Sequence, residues 1–170
     1  MARAYTPLPE PETLWELFDY KPLTGELVWK ARTSNRVKPG DTVGRLQKNG
    51  YKTVGVLSKV LLQHRLIWCW VTGTDPVDKQ VDHANGNPID NRWFNLRLAT
   101  HSQNSCNSKM RVTNRSKVKG VKLTPTGTYQ ARIRHNHKTY YLGTFTTAEA
   151  AGAAYSAAAI GLHGKFAQSS

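Results

Sequence analysis

Along the first half of the chain the apolar positions change period several times, and each change marks an element. Residues 1–12 carry Pro7, Pro9 and Pro11 with no apolar period, and read as a flexible, extended tail. Leu14, Leu17 and Phe18 then form a helical stripe, which predicts a short helix over residues 13–20. From Leu23 the pattern becomes strand-like. Thr24-Gly25 is a turn signal before ELVWK, Pro39-Gly40-Asp41 opens DTVGRL, and Asn49-Gly50 is a hairpin signal before YKTVGVL. A small antiparallel sheet is expected here. The run SKVLLQHRLIWCWV, residues 58–71, is apolar on nearly all sides and predicts a buried helix stopped by Gly73 and Asp75-Pro76. His64 within it reads as a packed core histidine.

The second half alternates more cleanly. Residues 80–83 predict a short strand, Asn85-Gly86-Asn87-Pro88 and Asp90-Asn91 are turn chemistry, and residues 95–99 predict a second strand. Thr100 is an N-cap with Gln103 three residues on, so a short helix through residue 108 should follow and complete a ββα unit. Beyond a basic connector come three strand-like runs, GVKLT, TYQARIRHN and KTYYLGTF, with turns at Thr126-Gly127 and His135-Asn136-His137. Thr146, with Glu149 closing the capping box, is expected to start the alanine-rich helix AEAAGAAYSAAAIGL. Alternation turns Val121, Ala131, Ile133, Tyr140 and Leu142 inward beneath that helix, and Lys122, Gln130, Arg132, Arg134, Thr139 and Tyr141 outward. Tyr129 reads as a packing residue at the sheet edge. His135 and His137 read as turn residues, with no third ligand nearby. The expected class is α+β: a small antiparallel sheet with a ββα core, then a three-stranded antiparallel sheet packed on one helix. The expected division is a tail to residue 12, a first domain over 13–108, a basic linker over 109–118 and a second domain over 119–168.

Charge narrows the partners. A net charge of +13 and a pI near 10 predict attraction to a polyanion, nucleic acid first and an anionic membrane surface second. Between Asp90 and Glu149 there is no acidic residue, while arginines and lysines recur throughout that span. No run is long and apolar enough to cross a membrane and the first residues lack a signal-peptide core, so the membrane reading drops out. Cys69 and Cys106 stand at neither zinc-ligand nor disulfide-framework spacing; Cys69 lies in an apolar run, which fits a reducing, intracellular setting.

The stretch from Val81 to Asn107 carries the chemistry. Phosphodiester hydrolysis needs an activated water and charge stabilisation on the phosphate and leaving oxygen. A histidine such as His83 can supply the first as general base, and a hard cation the second. Asp82 offers one oxygen ligand and Asn104, on the following helix, another; such ligands suit one Mg2+ or Mn2+ ion. Asn95 can fix the His83 ring by a hydrogen bond to one of its nitrogens. Asp82 and His83 are neighbours on a strand, so serving one phosphate together calls for a backbone bend at the strand end.

Asp82-His83, Gly86-Asn87-Pro88, Asn95-Leu96-Arg97 and Asn104 together resemble the HNH endonuclease family, in its phage and intron homing branch. The resemblance covers roughly residues 17–107. It implies His83 as general base, Asn95 as its orienting partner, and Asp82 and Asn104 as holders of the divalent cation, with Asn107, one helical turn on, a rival to Asn104. Gly120-Val121-Lys122, Ala131-Arg132-Ile133-Arg134, Tyr141-Leu142-Gly143-Thr144-Phe145 and the helix ending at Phe166-Ala167 resemble the APETALA-type, ethylene-response-factor-like DNA-binding domain. Lys122, Tyr129, Tyr141 and Thr139 replace an arginine, two tryptophans and a basic residue of its plant members, so their target sequence does not carry over. The two resemblances imply a metal-dependent DNA endonuclease whose second domain selects the site through Lys122, Gln130, Arg132, Arg134, Thr139 and Tyr141. Arg97, Lys117 and Lys119 would add DNA contacts. The implied partner is double-stranded DNA with no obligatory protein partner, and the implied setting is the cytoplasm of a bacterial host. The alternative is a DNA-binding transcriptional regulator with a degenerate nuclease core. RNA binding is weaker, because the outward sheet face lacks stacking aromatics.

Overall fold

Pro11 occupies the first turn of helix α1 (Pro11–Leu17), where its missing N–H costs nothing, so the helix starts earlier than its apolar stripe alone suggested. It also ends earlier: Phe18 is already extended and opens β1 (Phe18–Lys21), which pairs antiparallel with β2 (Glu26–Trp29). The computed structural model describes residues 5–107, 110, 113–136 and 138–167, without the side chains of Cys106 and Lys165. The expectations for residue 108, Lys109, Arg111 and His137 lie outside the described residues. The chain forms two compact units, residues 1–100 and 101–170.

In the first unit, β3 (Arg45–Leu46), β4 (Lys52–Val56) and β5 (Lys59–Leu62) make an antiparallel sheet, with the expected Asn49-Gly50 turn between the first two. The buried helix expected over 58–71 is a correction. Its first residues form β5, paired Thr53↔Leu62 to Val56↔Lys59, and α2 spans only Gln63–Thr72. A continuous apolar run has no period to separate strand from helix. Gly73, at φ 68°, ends α2 as expected by donating its N–H to Cys69 O. The core gathers Leu14, Phe18, Leu27, Val54, Leu61, Leu66 and Ile67; each large apolar side chain buried this fully contributes about 1.5–3 kcal/mol. Residues 5–10 are not free: Leu8 is buried and donates its N–H to Asp75 Oδ2 at 2.9 Å, and Tyr5 hydrogen-bonds the same oxygen. The last elements of the unit are β6 (Gln80–His83), a 3-10 turn (Trp93–Asn95) and β7 (Leu96–Ala99), with β6 antiparallel to β7.

The second unit holds α3 (His101–Cys106), β8 (Val121–Leu123), β9 (Tyr129–His135), β10 (Lys138–Phe145) and α4 (Ala148–His163). Strand order is β10-β9-β8, all antiparallel, with α4 packed on the sheet as expected. Val121, Ala131 and Ile133 are buried under the helix, while Tyr140 is exposed. Leu142, at the bulge between Tyr141 and Gly143, is half-buried and packs beside Ile133 and Tyr155, inward as its alternation predicts. Tyr129 packs against this core, as expected. The helix cap shifts by one position: Thr147, not Thr146, accepts the Ala150 N–H on Oγ1 at 3.2 Å.

Candidate active site

The β6–β7 pair sets its residues by register. Asp82 lies opposite Arg97 and His83 opposite Leu96, and the pairing runs unshifted to the end of β6. The expected bend at Asp82-His83 is therefore absent, and the two side chains leave the strand on alternate faces. On one face Arg97 meets Asp82 Oδ2 through both Nε and Nη2, at 2.9 Å each. Arg97, expected among the DNA contacts, is thus mostly buried as the partner of Asp82. A buried pair of this kind is held by geometry, since removing one member strands the other charge.

On the other face His83 is 4% exposed and enters a buried polar chain. Gln63, the first residue of α2, donates from Nε2 to Val43 O at 2.9 Å. Asn91 donates from Nδ2 to Gln63 Oε1 at 3.0 Å, and Asn91 Oδ1 lies 2.8 Å from His83 Nε2. The carbonyl of Val43 can only accept, which fixes the direction of every bond after it. Gln63 must present its oxygen to Asn91, Asn91 must present its oxygen to His83, and His83 must donate from Nε2. The basic lone pair is then on Nδ1. Burial lowers the His83 pKa and outweighs the smaller raising effects of Asn91, Asp82 and Asp90, so the ring is neutral near pH 7. Two further rings enclose it. His64 lies edge-on at 5.0 Å between centroids and Tyr51 at 6.0 Å. His64 is the buried residue its helix predicted, with its pKa pushed down to about 3 chiefly by burial.

The loop between β6 and β7 is a lattice of asparagine bonds. Asn95, expected to hold the His83 ring, accepts the Asn85 N–H at 3.0 Å and donates from Nδ2 to Asn85 Oδ1 and to Asp90 O. Its place at the ring is taken by Asn91, and Asn95 instead shapes the loop that carries Asn91. Asp90 holds Arg92 by paired bonds of 2.7 and 2.6 Å and accepts from Asn85, which together bring its pKa down to about 2. Gly25 touches the same loop from the β1–β2 turn. At φ +77°, a Cβ there would come within 2.6 Å of Arg92 N and the carbonyl carbon of Asn91.

Asn91 and Gln63 are the site residues that the sequence did not single out. Asn91 was one of several turn-forming asparagines, and Gln63 lies 28 residues from it. Asn104 and Asn107 lie in and just after α3 of the second unit, Asn107 buried and Asn104 half-buried. Of the DNA-contact set, Lys122, Arg132, Arg134, Thr139 and Tyr141 are exposed and Gln130 is half-exposed. The pairs Tyr141↔Arg132, Thr139↔Arg134 and Lys122↔Gln130 place all six on one sheet face. Lys117 is exposed at positive φ and Lys119 is half-exposed. Among the described residues no group of three His, Cys, Asp or Glu side chains lies together. The carboxylate of Asp82 is a hard oxygen donor of the kind Mg2+ takes, and its Oδ2 already meets Arg97.

The family model of the HNH endonuclease matches residues 62–106, a stretch that takes in the β6–β7 pair and its loop. Two relatives are similar over part of their length. The chain is 37% identical over 123 residues to an uncharacterized HNH endonuclease of Acanthamoeba polyphaga mimivirus, covering 72% of this chain and 63% of the relative. It is 37% identical over 59 residues to Protein 3.8 of Escherichia phage T7, covering 35% of this chain and 49% of that one. The chain thus spans under two thirds of the length of either relative. Among solved structures it is similar to the HNH homing endonuclease I-HmuI, from a study of DNA binding and cleavage. The identity is 23% and the TM-score 0.40, over 73% of this chain and 71% of that one.

Proposed function

We propose that the protein is a DNA endonuclease of HNH homing type that hydrolyses phosphodiester bonds with the aid of one divalent cation. The observation that carries this reading is the buried chain Val43–Gln63–Asn91–His83, which presents a neutral imidazole with its lone pair on Nδ1. In that state His83 takes a proton from the attacking water as general base. Asn91 holds the tautomer and ring orientation, and Asn95 holds the loop that positions Asn91. Asp82 and, by the family pattern, Asn104 would hold Mg2+ or Mn2+, with Asn107 the rival of Asn104. The bound ion supplies charge stabilisation on the phosphate and the leaving oxygen.

Site selection falls to the APETALA-type sheet and helix of residues 119–168, joined through the basic segment 109–118. Its outward face of Lys122, Gln130, Arg132, Arg134, Thr139 and Tyr141 suits double-stranded DNA, where arginine reads guanine and phosphate contacts set the register. Lys117 and Lys119 add phosphate contacts. No helix among the described residues is long and apolar enough to cross a membrane. Both relatives are viral, and action in a bacterial host on behalf of a phage fits the one from Escherichia phage T7.

The test is supercoiled plasmid incubated with the protein and Mg2+ or Mn2+. Nicked or linear product should form, and should vanish with EDTA and in His83→Ala. Arg132→Ala combined with Arg134→Ala should weaken binding and site choice while sparing cleavage of short non-specific substrates. Plasmid left intact despite tight binding would replace this reading with that of a regulator.

A further inference from the structure

The apolar interface between β9 and α4 ends in two histidines. Along β9 the helix-facing positions recur every second residue as Ala131, Ile133 and His135. Along α4 the sheet-facing positions recur every fourth residue as Ala151, Tyr155, Ala159 and His163. The first layers are apolar and buried. In the last layer His135 and His163, both half-buried, turn their Nδ1 atoms toward one another at 3.4 Å, with ring centroids 5.4 Å apart.

That separation leaves the two nitrogens at best a long hydrogen bond, beyond the range of about 2.7–3.2 Å of N–H···O bonds. It matches the bite of a tetrahedral metal: two nitrogens at about 2.0–2.1 Å from one ion, at the tetrahedral angle, lie about 3.3–3.4 Å apart. Octahedral neighbours would lie closer, at about 2.9 Å. His163 is also the last residue of α4, where the negative end of the helix dipole favours a cation.

We propose that His135 and His163 form a binding site for a borderline transition-metal cation of the Zn2+ class, clipping the end of α4 to the end of β9. Water completes the tetrahedron. Imidazole ligands select zinc, cobalt, nickel or copper over magnesium, so this site is chemically distinct from the oxygen site proposed at Asp82.

The probe is Zn2+ itself, titrated calorimetrically into the full chain with excess Mg2+ present. The wild type should bind one equivalent that Asp82→Asn retains, and His135→Ala or His163→Ala should each weaken it at least tenfold. Co2+ added to the wild type should give the intense visible bands of tetrahedral cobalt, a readout that needs no variant to fold. Absence of zinc binding by the wild type, binding unchanged in His135→Ala, loss of binding in Asp82→Asn, or an octahedral cobalt spectrum would each overturn the assignment. None of these results bears on plasmid cleavage, so the nuclease reading stands or falls separately.

Discussion

Asn91 is the residue on which the proposed base depends, and two substitutions separate its donor from its acceptor. Asn91→Ala deletes both bonds at once, 2.8 Å to His83 and 3.0 Å to Gln63, in a place where all three residues are 4% exposed or less. Each buried bond is worth about 1 kcal/mol net, and each partner left unsatisfied costs about 1–3 kcal/mol, so the loss should be about 2–4 kcal/mol of stability. Loss of an orienting partner of this kind typically costs about 10- to 100-fold in activity. Asn91→Asp keeps the acceptor for His83 but sets a carboxylate oxygen against Gln63 Oε1, which Val43 O holds in place. Its carboxyl pKa should be raised, because only the protonated form can donate to Gln63. The variant should therefore be destabilised at pH 7 and regain stability as pH falls toward that pKa. All five tryptophans lie within residues 1–100, so tryptophan fluorescence in a denaturant titration reports this unit without interference from the other. An Asn91→Ala protein within 0.5 kcal/mol of wild type that cleaves at the wild-type rate would refute the polar chain as the support of His83.

Two further perturbations test the packing around the site. His64, with its pKa pushed down to about 3, binds no proton in the folded state between pH 6.5 and 3, whereas the unfolded chain does. Stability should fall as pH drops below about 6.5, by about 2 kcal/mol from this residue between pH 7 and 5. His64→Leu should flatten that part of the fluorescence-detected profile, and an unchanged slope would show that His64 is protonated in the fold. Gly25→Ala should cost at least about 2 kcal/mol and slow cleavage, because its Cβ meets backbone at 2.6 Å. Gly40→Ala, at φ +90° with open space around it, should cost only the left-handed penalty of about 1–2 kcal/mol and leave cleavage intact. Equal effects would mean that the Gly25 contact with the Asn91 loop is irrelevant.

What was legible in the chain was what local chemistry decides. β6 is bounded as its alternation predicted, and β9 and β10 fall within the expected runs, because each strand is flanked by turn residues that stop it. The boundary between β5 and α2 was not legible, since KVLLQHRLIW is apolar on both sides of the change. Two adjacent threonines made the α4 cap ambiguous by one position. The identity of the histidine's partner was hidden for a different reason. Asn85, Asn87, Asn91 and Asn95 are chemically alike, and only the folded loop decides which one faces the ring. Gln63 and the His135–His163 pair depend on residues 28 apart meeting through tertiary packing, which no local pattern records.

The absence of a bend at Asp82-His83 changes what their adjacency means. Were both side chains on one face, the carboxylate could accept a bond from the imidazole, stabilise its protonated form and spoil it as a base. Alternation sends Asp82 to Arg97, whose guanidinium offsets its charge, and sends His83 to an uncharged amide. Asp82 still raises the His83 pKa, but by less than burial lowers it. The strand's pleat therefore keeps the neighbours adjacent in the chain but separate in bonding, Asp82 on the guanidinium of Arg97 and His83 on the amide of Asn91. For the general base proposed at His83, a regular strand serves better than a bent one would.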